Sequence, residues 1–224
     1  MPELGTVLVT GGSSGLGAAV VAEVAAAGGT PVVLDSEQPH GDVRWEQVDL
    51  ADGRAAEEAV RRVGLLDAVV TAAGTDTPAP LDALAPEAWE RIVAINLFGT
   101  AAVVRAALPS LKERHGRVVT VASTLGYRVF PHATAYCASK FGVVGFTRAL
   151  QVELAGEVGV TLLVPGGMRT RFFDAREEEY KPGPDAQLND PFDVARAVVF
   201  ALGQPVGCEV RELIITPATE PSWP

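Results

Sequence analysis

The sequence predicts an α/β protein: a single domain over 1–224 built on a doubly wound parallel sheet of about seven strands with helices on both faces. Three observations carry that expectation. Short apolar runs rich in Val and Leu alternate with longer Ala-rich runs, the pattern of repeated βαβ units. Several short runs, such as Val7-Leu8-Val9 and Arg117-Val118-Val119-Thr120-Val121, are near-continuously apolar instead of alternating, as in strands buried on both faces. The 224 residues suffice for one large core, and no internal repeat or linker divides them.

In chain order the strands fall at 6–10, 31–35, 43–48, 66–71, 117–122, 160–164 and 213–216. Helices are expected near 15–27, 52–63, 86–113, 134–156 and 191–202. Pro86 followed by Glu87 suits a first helical turn, with proline at N1 and an acid near the positive end of the dipole. The stretch 168–190 has another texture, with Arg169, Arg171, Asp174, Glu177, Glu178, Glu179 and then Lys181-Pro182-Gly183-Pro184. It is charged and poorly periodic, as a surface loop would be, and its place after a strand end predicts a lid over a ligand site.

Composition narrows the function classes. A net charge of −10 argues against nucleic acid or an anionic membrane surface as partner. No uncharged apolar run reaches the ~20 residues of a membrane span. The first strand begins so near Met1 that a signal peptide has no room, which predicts a cytoplasmic protein. Cys137 and Cys208 form neither a ligand pair nor a disulfide framework, and the three histidines are scattered, so no metal site is expected.

The segment Thr10-Gly11-Gly12-Ser13-Ser14-Gly15-Leu16-Gly17 follows the first strand and opens the first helix. Gly11, Gly15 and Gly17 permit a tight turn and a close backbone approach to a pyrophosphate, whose charge the helix N-terminus would receive. A Gly-rich turn alone is weak evidence. Asp35, ending the second strand about 20 residues on, strengthens it, because a carboxylate there accepts the ribose hydroxyls of NAD and repels the 2′-phosphate of NADP. Ser13, Ser14, Ser36 and Glu37 supply no cation to relieve that repulsion, and Arg44 lies too far along the next strand. Asp49 closes the third strand and either faces the nucleotide or caps the helix beginning near Ala51.

Of three tyrosines, only Tyr136 has a lysine four residues later, Lys140. At that spacing both side chains share a helix face. A free phenol titrates near ~10, and a neighbouring cation would favour the phenolate. Such a pair alone could be an ordinary surface pair. Ser123, at the end of the fifth strand, would converge with it on the carboxyl edge of the sheet, beside the Gly-rich turn. Asn96 is a polar amide inside an apolar helix; it needs a buried partner or a water, or else it satisfies its own helix.

These residues resemble the short-chain dehydrogenase/reductase family, which has a Rossmann fold. The ordered motifs are the Gly-rich turn, Asn96-Leu97-Phe98-Gly99-Thr100, Ser123 thirteen residues before Tyr136, Tyr136-Cys137-Ala138-Ser139-Lys140, and Pro165-Gly166 after a strand. The resemblance implies hydride transfer between NAD and a secondary alcohol or ketone. Tyr136 would be the acid/base, Lys140 would lower its pKa and hold the ribose hydroxyls, Ser123 would orient the carbonyl, and Asn96 would anchor a relay water. It also implies a cofactor site of Gly11, Ser13, Ser14, Gly15, Leu16, Gly17, Asp35, Asp49, Leu50, Ala72, Ala73, Gly74, Tyr136, Lys140, Pro165, Gly166 and Thr170, with Asp49 at the adenine, Ala73-Gly74 passing the ribose and Thr170 on the carboxamide side.

The family's usual Asn-Asn-Ala-Gly is Thr71-Ala72-Ala73-Gly74 here, and the chain is short in the lid region, which predicts a relatively open pocket. Leu125, Tyr127, Phe130, Phe172 and Phe173 would give that pocket apolar walls, with His132 nearby. The 134–156 helix is apolar around most of its circumference, so a second subunit is expected to cover it, giving a homodimer or homotetramer. Two alternatives are an NADP-dependent carbonyl reductase and a non-catalytic NAD(H)-binding sensor.

Overall fold

The computed structural model describes residues 4–223, so positions 1–3 and 224 of the expected domain lie outside it. Seven strands, β1 (Thr6–Thr10), β2 (Thr30–Asp35), β3 (Arg44–Gln47), β4 (Ala68–Thr71), β5 (Arg117–Val121), β6 (Gly159–Pro165) and β7 (Glu212–Ile215), form one sheet. Its order is β3-β2-β1-β4-β5-β6-β7, and every pairing is parallel. The chain builds outward from β1 to β3, then crosses to β4 and proceeds to the other edge. That reversal between β1 and β4 opens a crevice at the carboxyl ends of the strands, where ligands sit in sheets of this kind.

Helices α1 (Gly15–Ala26) and α6 (Pro191–Leu202) cover one face; α2 (Gly53–Val63), α4 (Thr100–Glu113) and α5 (Thr134–Glu153) cover the other. Alternation within β1 feeds both layers: Val7 and Val9 join the α1/α6 core, and Leu8 joins the α2/α4/α5 core. The single-domain, doubly wound expectation therefore holds.

The expected 86–113 helix is continuous but not uniform. It runs as α3 (Pro86–Val93), a π turn over Ala94–Gly99, and α4. A π turn inserts an extra residue and re-aims neighbouring side chains, and such turns recur at functional sites. This one holds Asn96. Gly99 lets the turn lie against the chain after β3, since a Cβ there would meet the Leu50 carbonyl oxygen at 2.7 Å. By length and composition the whole helix could cross a membrane, yet its Ala102, Val103, Val104, Ala107 and Leu111 are buried against the sheet.

Other boundaries shift too. The fourth strand starts at Ala68, and Asp67 just before it still bonds both neighbouring strands through its backbone while its Oδ2 accepts from the Thr6 amide at 2.7 Å. Asp52, not Asp49, caps α2, accepting from the amides of Arg54 and Ala55. The 168–190 segment is irregular, with two 3₁₀ turns, Arg171–Phe173 and Glu178–Tyr180, and a bridge from Met168 to Asn189 at its base.

Candidate active site

A cavity of about 1300 Å³ opens at the carboxyl edge of the sheet. It is larger than the ~300–1,000 Å³ of most small-molecule sites, which leaves room for a dinucleotide and a substrate together. All seventeen residues expected at the cofactor line it, from Gly11 and Asp35 at one end to Tyr136, Lys140 and Thr170 at the other, as does Ser123.

The floor of the cavity is the turn between β1 and α1. Gly11 adopts φ +70°, and a Cβ on it would meet the Ala73 backbone at 2.7 Å. Gly17 closes the turn on itself, a Cβ there falling 2.0 Å from the Gly11 carbonyl oxygen. Ser14 precedes α1 in an extended conformation without capping it through its side chain, and the first turn carries no acid. The positive end of α1 thus faces the cavity uncompensated, as a pyrophosphate requires. These residues fit a dinucleotide.

Asp35 stands over this turn. Its Oδ2 accepts from the Ser13 amide at 2.9 Å and its Oδ1 from the Glu37 amide at 3.1 Å, which fixes the carboxylate at the cavity wall. Arg44 is turned away, donating to the carbonyls of Val63 and Arg62. Asp49 accepts from the Ala51 amide at 3.0 Å and pairs with Arg91 at 2.9 Å. Partial burial would raise its pKa, but the Ala51 amide and the guanidinium hold it below the usual carboxylate range.

The catalytic candidates meet where β5 runs into α5. Ser123 follows the strand, accepts from the Leu125 amide and lines the cavity with Tyr136. Lys140 is buried, and its Nζ donates to the Val121 carbonyl at 2.9 Å and sits 5.6 Å from the Tyr136 ring centre. Burial alone brings its pKa down to about 8.

The expected lowering of the Tyr136 pKa by Lys140 is not found in this arrangement. Burial pushes the phenol up to about 12, the neighbouring Ser123 hydroxyl opposes that rise, and Asp76 adds to it while Arg176 subtracts. One of the three Lys140 ammonium donors goes to the Val121 carbonyl, and none bonds the phenol.

Asn96 is buried one layer behind the cavity and does not line it. Its Oδ1 accepts from the Thr75 amide at 2.8 Å; its Nδ2 donates to the Thr75 carbonyl and to Ser139 Oγ. Ser139 in turn donates to the Tyr136 carbonyl at 2.8 Å. The amide therefore satisfies long-range partners, not its own helix, and ties the loop after β4 to α5.

Two further expectations need revision, and a third is met. Tyr127 does not wall the pocket: its ring packs edge-on against Trp223 and its hydroxyl bonds Glu212 and Arg148. The pocket is not open at Tyr136, a residue 9% exposed and packed against Phe172, 5.8 Å away between ring centres. His132 does line the cavity, with Nδ1 3.1 Å from the Tyr180 hydroxyl.

Sequence reasoning missed Asp76, Arg176 and Glu220. Arg176 comes down from the 168–190 segment onto Phe172 and Phe173 and pairs with Asp76 at 2.8 Å. Glu220, from the chain after β7, accepts from the Gly167 amide at 3.0 Å. The available signal was Asp76 itself, a carboxylate two residues past Gly74 in the loop after β4.

A family model described as short chain dehydrogenase matches residues 5–181. The chain belongs to the short-chain dehydrogenase family. Like that family it is an oxidoreductase that binds a nicotinamide cofactor. An uncharacterised oxidoreductase of Staphylococcus aureus strain MW2 is 30% identical, over 94% of this chain and 96% of that protein. Glycine betaine reductase ATRR of Emericella nidulans is 32% identical over 96% of this chain, which spans only 19% of that longer protein. The structure of a 3-ketoacyl-(acyl-carrier-protein) reductase from Brucella melitensis complexed with NADH superposes with a TM-score of 0.83, covering 94% of this chain and 96% of the other at 26% identity. As a short-chain dehydrogenase the protein presents Ser123, Tyr136 and Lys140 in one cavity with the Gly-rich turn.

Proposed function

We propose that the protein transfers a hydride between NAD(H) and an uncharged secondary alcohol or ketone, with Tyr136 as acid/base. The observation that carries this reading is the meeting of Ser123, Tyr136 and Lys140 at the carboxyl end of β5, in the same cavity as the turn that fits a pyrophosphate. The nicotinamide, when bound, supplies or accepts the hydride.

The protein's own residues do the rest. Ser123 and Tyr136 grip the substrate oxygen. Tyr136, with its phenol held at about 12, keeps its proton at neutral pH and can donate it to a ketone oxygen. Lys140, buried beneath the cofactor end, holds ribose hydroxyls, and the Asn96–Ser139 bonds hold the helix that carries both residues. Phe172 and the rest of the 168–190 segment act as a lid that keeps water from the phenol.

Asp35 supports NAD over NADP, because its fixed carboxylate would oppose a 2′-phosphate and Arg44 is committed elsewhere. Assembly is part of the same proposal. Phe98, Phe141 and Val152 are exposed on or beside α4 and α5, and a second copy packing there would make a homodimer or homotetramer. Light scattering at micromolar concentration tests it; a monomer contradicts it.

The reaction is tested by screening secondary alcohols, sugars and hydroxy acids for NADH formation at 340 nm. Turnover of an uncharged alcohol with NAD supports the reading. Tight NAD binding with no turnover across the panel contradicts it.

A further inference from the structure

Among the described residues, Asp76–Arg176 is the one ion pair in which both side chains are largely buried, 4% and 15% exposed. It sits against the reacting end of the cavity. The guanidinium lies 5.0 Å from the Phe172 ring centre and 4.7 Å from that of Phe173, and Phe172 packs on Tyr136. Both charged residues line the cavity.

Arg176 is poorly supplied with acceptors. Nη2 donates to Asp76 Oδ2 at 2.8 Å, Nη1 reaches the Tyr180 carbonyl only at 3.4 Å, and Nε is buried without a partner. Asp76 thus provides the single short, charge-matched bond to this cation. A guanidinium can serve a carboxylate with two parallel donors, so Arg176 has donor capacity beyond what Asp76 uses. The pair as it stands is neutral overall. A second carboxylate brought to this wall would place two anions on one largely buried cation, while an uncharged substrate leaves the balance intact.

We propose that Asp76 is a specificity-determining residue: by keeping Arg176 matched it restricts the site to uncharged alcohols and ketones, and neutralising it turns Arg176 into a receptor for a substrate carboxylate beside the reacting carbon. This rests on the reading of Tyr136 as the reacting end of the site.

The test uses a matched pair of ketones, acetoacetate and its methyl ester, with Asp76→Asn, which keeps the size of the side chain and an acceptor for Arg176. Calorimetric titration in the presence of NAD needs no turnover, because both components are oxidised. The unmodified protein should favour the ester. Asp76→Asn should move the acid-to-ester affinity ratio about tenfold or more toward the acid, and adding Arg176→Gln should abolish that gain. Asp76→Ser, a second neutral variant, should behave as Asn does and guards against a folding defect in either.

Equal or better binding of acetoacetate by the unmodified protein overturns the proposal. So does an unmoved ratio in both Asp76 variants, or their failure to bind acetoacetate at all. Tyr136→Phe combined with Asp76→Asn separates the two readings. If the Phe variants reduce the ester with NADH as fast as their parents, the assignment of Tyr136 fails, whereas the ratio measured by binding judges Asp76.

Discussion

The edge formed by β4 and β5 and the 168–190 segment face each other across the cavity, and they are held in place differently. On the edge, Ser123, Tyr136 and Lys140 project from a strand end and a helix, anchored by backbone partners such as the Val121 carbonyl and backed by Asn96. The opposite wall has no regular element longer than a 3₁₀ turn, and it is fastened by side chains: Arg176 on Asp76, Tyr180 on His132, and Phe172 over Tyr136. Rigid elements position the chemistry, while the irregular wall sets what can reach it. Changes on the first should cost rate, and changes on the second should alter choice of substrate.

The largest effect is expected at the edge. Tyr136→Phe should lower turnover by ~10²–10⁴-fold, typical of a lost general acid/base, with cofactor affinity nearly unchanged. Steady-state rates on any substrate found, set beside NADH titration, check this. A comparable loss from Arg176→Gln would erase the contrast between the walls.

Next comes the burial of Lys140, which titrates at about 8 in the fold against 10.5 when free. Below pH 8 both folded and unfolded chains carry the charge, and the fold bears the desolvation cost. Between 8 and 10.5 the unfolded chain binds more protons, so the contribution of Lys140 to stability rises with pH, by on the order of 3 kcal/mol. Tyr136 acts in the opposite sense above 10, but it is common to both proteins compared. Without cofactor, urea unfolding at pH 7 and pH 10 should show the unmodified protein gaining on Lys140→Met as pH rises. Parallel behaviour would mean that the lysine is solvated.

Cofactor choice follows. The unmodified protein should prefer NADH to NADPH by about tenfold to a hundredfold, the equivalent of losing hydrogen bonds to a charged group. Asp35→Ser with Ser36→Arg should narrow or reverse that. Fluorescence titration with each cofactor decides it, and equal affinities in the unmodified protein would remove Asp35 from the account.

The smallest effect concerns Thr71, which stands where the family usually has Asn. Its hydroxyl is buried without a partner. Thr71→Val should therefore stabilise the fold by ~1 kcal/mol, seen as a higher Tm; a lower Tm would mean that the hydroxyl is satisfied.

What the sequence disclosed follows the same division. The Gly-rich turn and the Tyr136–Lys140 pair were legible because local spacing on a helix or turn already sets their geometry. The doubly covered parallel sheet followed from near-continuous apolar runs, whereas the order of its strands came only with the structure. Asp76 and Arg176 lie 100 positions apart, and nothing local announces that they will meet. Tyr127 was misjudged because its neighbours in space, Trp223 and Glu212, come from the end of the chain. The spacing of Tyr136 and Lys140 was legible, but the effect of one on the other was not, since it turns on burial and on a backbone carbonyl 19 positions away.

The central claim is hydride transfer with Tyr136 supplying the proton, and isotope transfer tests it most directly. NADH deuterated at the transferring C4 position should place one deuterium on the carbinol carbon of a ketone accepted by the unmodified protein, in a single turnover followed by mass spectrometry. Tyr136→Phe should bind the same NADH with near-normal affinity and transfer ~10²–10⁴-fold more slowly. Product formed without deuterium, or equal transfer by the Phe variant, would contradict the account.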